Sequence, residues 1–326
     1  MYLSIVVPVY NEEESLPQLY QEICNVTKEN NYETEIVFID DGSKDRSWEV
    51  VEQLAAQDDR VRGIRFRRNF GKAAALNAGF ATAEGEIVLT MDADLQDDPH
   101  EIPEFLAMIE SGLEVVSGWK KIRHDPWHKV IPSRFFNAMV SYLTGVKLHD
   151  HNCGMKCYRR EIFHEITLYG ELHRFVPVLA SARGYRVGEK VVAHRSRQFG
   201  QSKYGFTRFV KGFLDLFTVW FLTAYGQRPQ HLLGTVGLIA MGIGFFLLTY
   251  LAAIWGISRL EIDALACCGL DKPVSIGTRP AVLYGVAALL FGGQILSIGV
   301  IAELLVAHQN QIAKCYSIKK IIEKKK

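Results

Sequence analysis

The sequence predicts an α/β protein in which a mostly parallel sheet carries helices on both faces, followed by an amphipathic interfacial helix and two transmembrane helices. Three observations lead there. Short β-branched runs alternate with helical patterns from the N-terminus to Asp94, the signature of right-handed βαβ units. The runs end in polar clusters, Tyr10-Asn11-Glu12, Asp40-Asp41-Gly42-Ser43 and Asp92-Ala93-Asp94, and ligands of such sheets bind outside the carboxyl ends of the strands. Later, Leu232 to Ile257 and Ala281 to Ala302 contain no charged residue, over 26 and 22 positions.

Composition agrees. The 326 residues allow about two domains, and 48% hydrophobic content beside 22% charged suggests a soluble part joined to a membrane part. A net charge of +1 gives no reason to expect nucleic acid, whereas Lys and Arg gathered in the second half suit a membrane surface. Six scattered cysteines fit a reducing compartment, and the start has no basic stretch before its short apolar run, so no cleavable signal peptide is expected.

In order, Leu3 to Val9 reads as a first buried strand, and a helix runs from Ser15 as N-cap, with Pro17 in its first turn, towards Asn30. Glu35 to Asp40 is a second strand, followed by helical spacing of Trp48, Val51 and Leu54. Val61 to Phe66 is a third, leading through Arg67-Arg68-Asn69-Phe70-Gly71-Lys72 into an Ala-rich helix, Ala73 to Thr82. A fourth strand ends at Asp92, and Glu114 to Lys120 reads as a fifth, followed by a basic, aromatic loop from Lys121 to His128. Phe209, Phe213, Leu216, Phe217 and Trp220 recur at helical spacing, which suits a helix lying in the interface.

Asp92 and Asp94, one residue apart on an extended chain, point the same way. Two hard oxygen ligands at a strand end suit a divalent cation that also carries substrate phosphates; the alternative is an acidic turn capping the helix near Pro99. No Gly-x-Gly-x-x-Gly follows the first strand and no P-loop occurs, which disfavours dinucleotide oxidoreductases and P-loop enzymes. His149, His151, Cys153 and Cys157 match no standard zinc spacing.

Val6-Val7-Pro8-Val9-Tyr10-Asn11-Glu12, Asp40-Asp41-Gly42-Ser43-Lys44-Asp45, Arg68-Asn69-Phe70-Gly71-Lys72 and Asp92-Ala93-Asp94-Leu95-Gln96-Asp97 together resemble the motifs of glycosyltransferase family 2, and within it the dolichyl-phosphate mannose synthase and polyprenyl-phosphate glycosyltransferase branch. The resemblance implies a GT-A, Rossmann-like domain that moves one sugar from a UDP- or GDP-sugar to a polyprenyl phosphate, with inversion. It implies donor binding by Pro8, Tyr10, Glu12, Asp41, Asp92 and Ala93, and a Mg²⁺ or Mn²⁺ ion held by Asp92, Asp94 and Gln96, Asp94 being also catalytic. Lys120 and Arg134 would meet the acceptor phosphate, unless they are ordinary exposed charges. Arg197 and Lys203, in a segment like Arg-x-x-Gly-x-Ser-Lys, would meet the donor diphosphate. Where relatives carry an acid, this chain has Cys153-Gly154-Met155-Lys156, leaving Asp150 as the nearest carboxylate, to orient rather than deprotonate. A processive polysaccharide synthase would carry Gln-x-x-Arg-Trp and more spans, and neither is present; a non-catalytic sugar-nucleotide-binding component is the other reading.

The expected organisation is a cytoplasmic catalytic domain over 1–203, an amphipathic segment over 204–230, a two-helix membrane domain over 231–307 with spans at 232–257 and 281–304, and a basic tail over 308–326. The loop from Ser258 to Pro280 holds three basic and three acidic residues, whereas Lys314 to Lys326 holds six Lys against one Glu, so the positive-inside rule places the catalytic domain and both termini in the cytoplasm. Gly242, Gly244, Gly292 and Gly293 permit close helix contacts, which leaves room for a homo-oligomer.

Overall fold

The computed structural model describes residues 2–121, 127–166, 172–195, 207–259 and 280–312. The chain divides into two compact units, with the boundary between Thr223 and Ala224. In the first, seven strands form one sheet in the order β3-β2-β1-β4-β6-β5-β7. They are β1 (Tyr2–Val9), β2 (Glu33–Asp40), β3 (Val61–Arg65), β4 (Ile87–Thr90), β5 (Val115–Trp119), β6 (Lys156–Arg159) and β7 (Val187–Val191). The helices of this unit are α1 (Leu16–Glu29), α2 (Ser47–Gln57), α3 (Lys72–Thr82), α4 (Ile102–Glu110), α5 (Trp127–Thr144), α6 (Val176–Ala182) and α7 (Thr207–Ala224).

Every strand pairs in parallel except β6, which runs antiparallel to β4 and β5. The parallel registers bring Val9 level with Asp40 and Val6 level with Thr90, so Tyr10, Asp41 and Asp92 leave the sheet at one edge. The reversed strand sets Lys156 opposite Thr90, and so delivers the chain that precedes it, residues 150–155, to that same edge. No sequence pattern distinguished this reversal, because β6 is only four residues long.

Central strands are apolar on both faces because each face carries helices. One layer gathers Leu16, Leu19, Ile23 and Phe105 over Ile5, Val7 and Leu89; the other gathers Ala75, Leu76, Phe80 and Phe136 over Val6, Val37 and Tyr158. Helix α3 lies close to the sheet because Gly79 has no side chain: a Cβ there would overlap Val6 Cγ1 and sit 2.9 Å from Ile39 Cδ1. Helix boundaries differ in detail from the sequence reading. Ser15 does not cap α1 through its side chain; its hydroxyl donates to the Glu12 carbonyl and carboxylate instead. The loop expected up to His128 is already helical from Trp127.

Helix α7 is amphipathic as expected. Leu216 and Val219 are buried in the second layer with Phe136 and Val140 of α5, whereas Phe213, Leu214 and Phe217 are exposed. The outer face of α5 is likewise apolar, with Ile131, Phe135 and Tyr142 exposed.

The second unit is a helical hairpin, α8 (Pro229–Ile257) and α9 (Pro280–Ile312), and both helices are long and apolar enough to cross a membrane. Glycine sets their separation: a Cβ on Gly237 would lie 2.7 Å from the Gly292 carbonyl oxygen, and one on Gly244 2.6 Å from that of Gly285. Gly244 and Gly292 are therefore used within the chain, whereas Gly242 and Gly293 have nothing within 4 Å. The Gln230 N–H, one of the unpaired donors of the first turn of α8, donates to Glu303 of α9 at 3.2 Å.

Gly79→Ala overpacks α3 against β1 and β2, and we expect a loss of about 1–3 kcal/mol, read as a lower midpoint of thermal unfolding; an unchanged midpoint would contradict the close approach.

Candidate active site

The edge is built first from the loops after β1 and β2. Asn11 adopts a left-handed backbone (φ 54°), its N–H donates to Ser43 Oγ at 2.9 Å, and its side-chain oxygen accepts from the Lys44 N–H at 2.8 Å. The Glu12 N–H donates to Ser47 Oγ at 2.8 Å. These bonds hold the Tyr10–Glu12 and Asp40–Ser43 turns as one surface. Asp41 seats a third loop on it: its carboxylate accepts from the N–H groups of Phe70 at 2.7 Å and Gly71 at 2.9 Å. Gly42, with φ 70°, permits the approach, because a Cβ would fall 2.5 Å from the carbonyl carbon of Arg68. Burial, with Asp40 adding, raises the Asp41 pKa despite its two donors.

The Arg67–Gly71 loop in turn places Lys72, the first residue of α3, so that its ammonium donates to Asp92. Burial opposes ionisation of Asp92, but Lys72, Lys120 and Lys156 more than offset it and hold the carboxyl below its usual range. Lys120 is paired with buried Asp97 at 2.9 Å, and Asp97 also accepts the Asp92 N–H at 3.2 Å. Lys156 is buried at the start of β6, donates to the carbonyls of His151 and Cys153, and is pushed down to about 8 by burial, with repulsion from Lys72 adding. Gly154 brings the preceding loop against the acid, since a Cβ there would lie 2.5 Å from an Asp92 carboxylate oxygen.

Asp94 is buried to 8% exposure, and its Oδ1 accepts from the Gln96 N–H at 3.3 Å. Leu95 between them is left-handed (φ 61°), a conformation that costs a residue with a side chain about 1–2 kcal/mol. Its side chain is wholly buried in the first layer, and that burial offsets the strain. The side-chain oxygens of Asp94 and Gln96 are hard donors of the kind a Mg²⁺- or Mn²⁺-type ion takes. Among the described residues no group of three or more His, Cys, Asp or Glu stands in metal-binding array.

Across the sheet, Asp150 is 1% exposed and its Oδ1 accepts from the Asn152 N–H at 3.0 Å. Glu189 of β7 accepts the N–H groups of His149 at 2.8 Å and Asp150 at 3.0 Å through one oxygen, and meets His149 Nδ1 at 2.7 Å with the other. His151 is buried, pushed down to about 3 by burial and Lys156, and pairs with Ser141 of α5 at 3.1 Å. Burial pushes the Cys153 thiol up to about 12, an inert group rather than a metal thiolate. The chain after β7 crosses the acidic loop: the Arg195 N–H donates to the Gln96 carbonyl at 3.1 Å, and its guanidinium meets Glu22 and Asp98, each at 2.7 Å.

Of the residues singled out from sequence, Pro8, Tyr10, Glu12, Asp41, Asp92, Ala93, Asp94 and Gln96 meet at the edge of β1, β2 and β4, and Lys120 and Asp150 adjoin it at β5 and β6. Arg134 is exposed on the apolar outer face of α5. Arg197 and Lys203 lie outside the described residues. Sequence reasoning missed Lys72, Asp97, Lys156 and Glu189. Lys72 carried a usable signal: a cation at the first position of a helix opposes the helix dipole and needs a reason to be there.

Comparison with known proteins follows the same lines. A sequence profile described as Glycosyl transferase family 2 matches residues 4–167. "Dodecaprenyl-phosphate galacturonate synthase" of Rhizobium johnstonii is 36% identical over 311 residues, covering 93% of this chain and 87% of that protein. "Undecaprenyl-phosphate 4-deoxy-4-formamido-L-arabinose transferase" of Proteus mirabilis is 34% identical over 328 residues, covering 99% and 95%. Glucosyl-3-phosphoglycerate synthase of Mycobacterium tuberculosis, crystallised with Mn²⁺, UDP-glucose and phosphoglyceric acid, has a TM-score of 0.53 at 16% identity over 68% of this chain and 79% of that one, a likeness of fold.

Asp41→Asn replaces one of two acceptor oxygens with a donor that faces a backbone N–H. At about 1–3 kcal/mol for an unsatisfied buried group, the Arg67–Gly71 loop should open about tenfold more often, seen as faster trypsin cleavage after the exposed Arg67 and Arg68. Cleavage at the wild-type rate would show that Asp41 does not hold the loop.

Proposed function

The chain belongs to glycosyl transferase family 2, and from that premise we propose that this membrane glycosyltransferase moves one sugar from a nucleoside-diphosphate sugar to a polyprenyl phosphate at the cytoplasmic membrane face, inverting the anomeric centre. The observation that carries the reading is the Lys72–Asp92 pair beside Asp94 at a sheet edge, in a chain that also bears two helices of membrane length. Support for the acceptor comes from the two relatives, whose names specify dodecaprenyl and undecaprenyl phosphate and which match along 93% and 99% of the chain.

In this reading Tyr10, Glu12 and Asp41 border the nucleoside, with Pro8 and Ala93 beneath it, and Asp94 and Gln96 hold the ion. Bound there, Mg²⁺ or Mn²⁺ neutralises charge on the donor diphosphate. Asp92, already matched by Lys72, joins the ion only by giving up that partner. An acceptor phosphate oxygen attacks the anomeric carbon from the side opposite the diphosphate, the bond to the diphosphate breaks, and the nucleoside diphosphate leaves with the electron pair. Lys72 and Lys156, fixed beside Asp92, supply positive charge that stabilises the extra negative charge on the leaving diphosphate. The nucleophile needs no strong base, since a phosphate monoester with a second pKa of about 6 is largely dianionic near neutral pH. Asp150 then holds the 150–154 loop in place. Arg134, set in an apolar face of α5, and Lys120, once released from Asp97, are the cations assigned to the acceptor phosphate.

Purified enzyme with Mg²⁺ or Mn²⁺, undecaprenyl phosphate and a panel of UDP- and GDP-sugars should form a lipid-linked sugar. EDTA, or Asp94→Ala, should lower turnover by about 10²-fold or more; no product across the panel, or wild-type turnover in Asp94→Ala, would overturn the reading. Coupling constants at the anomeric proton of the product should report the configuration opposite to the donor's, and a retained configuration would exclude direct attack.

A further inference from the structure

We infer that His149, held by Glu189 and stacked on Trp119, is a ligand of the acceptor's phosphate, an inference that rests on the transfer to polyprenyl phosphate proposed above. The ring is restrained more closely than a turn requires. Two backbone bonds to Glu189 already fix the His149–Asp150 turn, yet the second carboxylate oxygen also takes Nδ1 at 2.7 Å, and Trp119 lies parallel to the ring at 4.0 Å and 12°. Glu189 is 11% exposed in its side chain, whereas His149 is 66% exposed, between buried Leu148 and Asp150. A carboxylate on one imidazole nitrogen fixes the ring and dedicates the other to a ligand. Here that atom is Nε2.

Position indicates which ligand. The donor loops lie at β2, β1 and β4, while Trp119 ends β5, two strands beyond β4 and so about 10 Å away, on the side of the edge away from the nucleoside. On the other side of the turn stands α5, where exposed Ile131, Phe135 and Tyr142 suit a lipid chain and share the helix with exposed Arg134. A group between a sugar and a lipid is the acceptor's phosphate. Lys120 follows Trp119 directly, and the Lys121 ammonium sits 5.7 Å from the Trp119 ring centre, so further cations border the place. The contact is an Nε2–H donating to a phosphate oxygen.

The full-length enzyme, assayed with farnesyl phosphate and the nucleotide sugar it uses, tests this. His149→Ala and Glu189→Gln should each raise the KM for farnesyl phosphate about tenfold, with the double variant no worse than the worse single one, because both act through one ring. The donor KM should stay within about twofold, and His149→Arg, which restores a cation, should recover most of the loss. His149→Gln, which preserves the turn's size and polarity, gives the same readout if the alanine variant does not fold. An acceptor KM unmoved in folded His149 variants, or a donor KM that rises equally, overturns the assignment while leaving the transfer intact. A wild-type enzyme that forms no lipid-linked sugar refutes the transfer, and this inference with it.

Discussion

The contact between Lys72 and Asp92 is the constraint on which the rest of the edge depends. It joins the start of α3 to the end of β4 across β1, and each partner is costly without the other. A lysine at the first position of a helix meets the positive end of the helix dipole, and a half-buried carboxylate gives up part of its hydration. Lys72 is where it is only because Asp41 and Gly42 seat the loop that precedes it, so a turn after β2 controls the electrostatics of a strand two places away.

Around that contact, acids and lysines alternate: Asp92 with Lys72, Asp97 with Lys120, and Lys156 braced on two carbonyls. A field of this kind is set up during folding. In the proposed transfer it offers a diphosphate prearranged positive charge, with Asp94 and Gln96 beside it for an ion. The reversed strand β6 contributes Lys156 and, through the glycine at 154, lays its leading loop directly on Asp92. One antiparallel strand thus connects the half of the edge that carries Asp92 to the half that ends in His149, Trp119 and Glu189.

Much of this was legible in the residues, for identifiable reasons. The alternation of strands and helices, the polar strand ends and the two uncharged runs are local patterns that led to the fold class, and four short motifs carried a family resemblance that the profile match over residues 4–167 bears out. The pairings were not legible, because they are long-range: Phe70 is 29 residues from Asp41, Lys120 is 23 from Asp97, and Glu189 is 40 from His149. Nothing near Lys156 in the sequence announces a buried cation, since its partners are backbone carbonyls that every residue possesses. Leu95 in a left-handed backbone was equally hidden, as leucine is among the last residues expected there.

The hydrogen bond from the start of α8 to Glu303 has a consequence for how the hairpin tolerates different membranes. A carboxylate carried to the middle of a bilayer costs about 2.5–3.5 kcal/mol even on the lenient insertion scale, so in a membrane this end of the pair would favour the level of the headgroups. The glycine seam keeps the two helices from sliding past each other. In a bilayer this end would act as a fixed-depth mooring, and mismatch between the hairpin's length and the lipid's thickness would be met by tilt and by the opposite end, near Ile257 and Pro280.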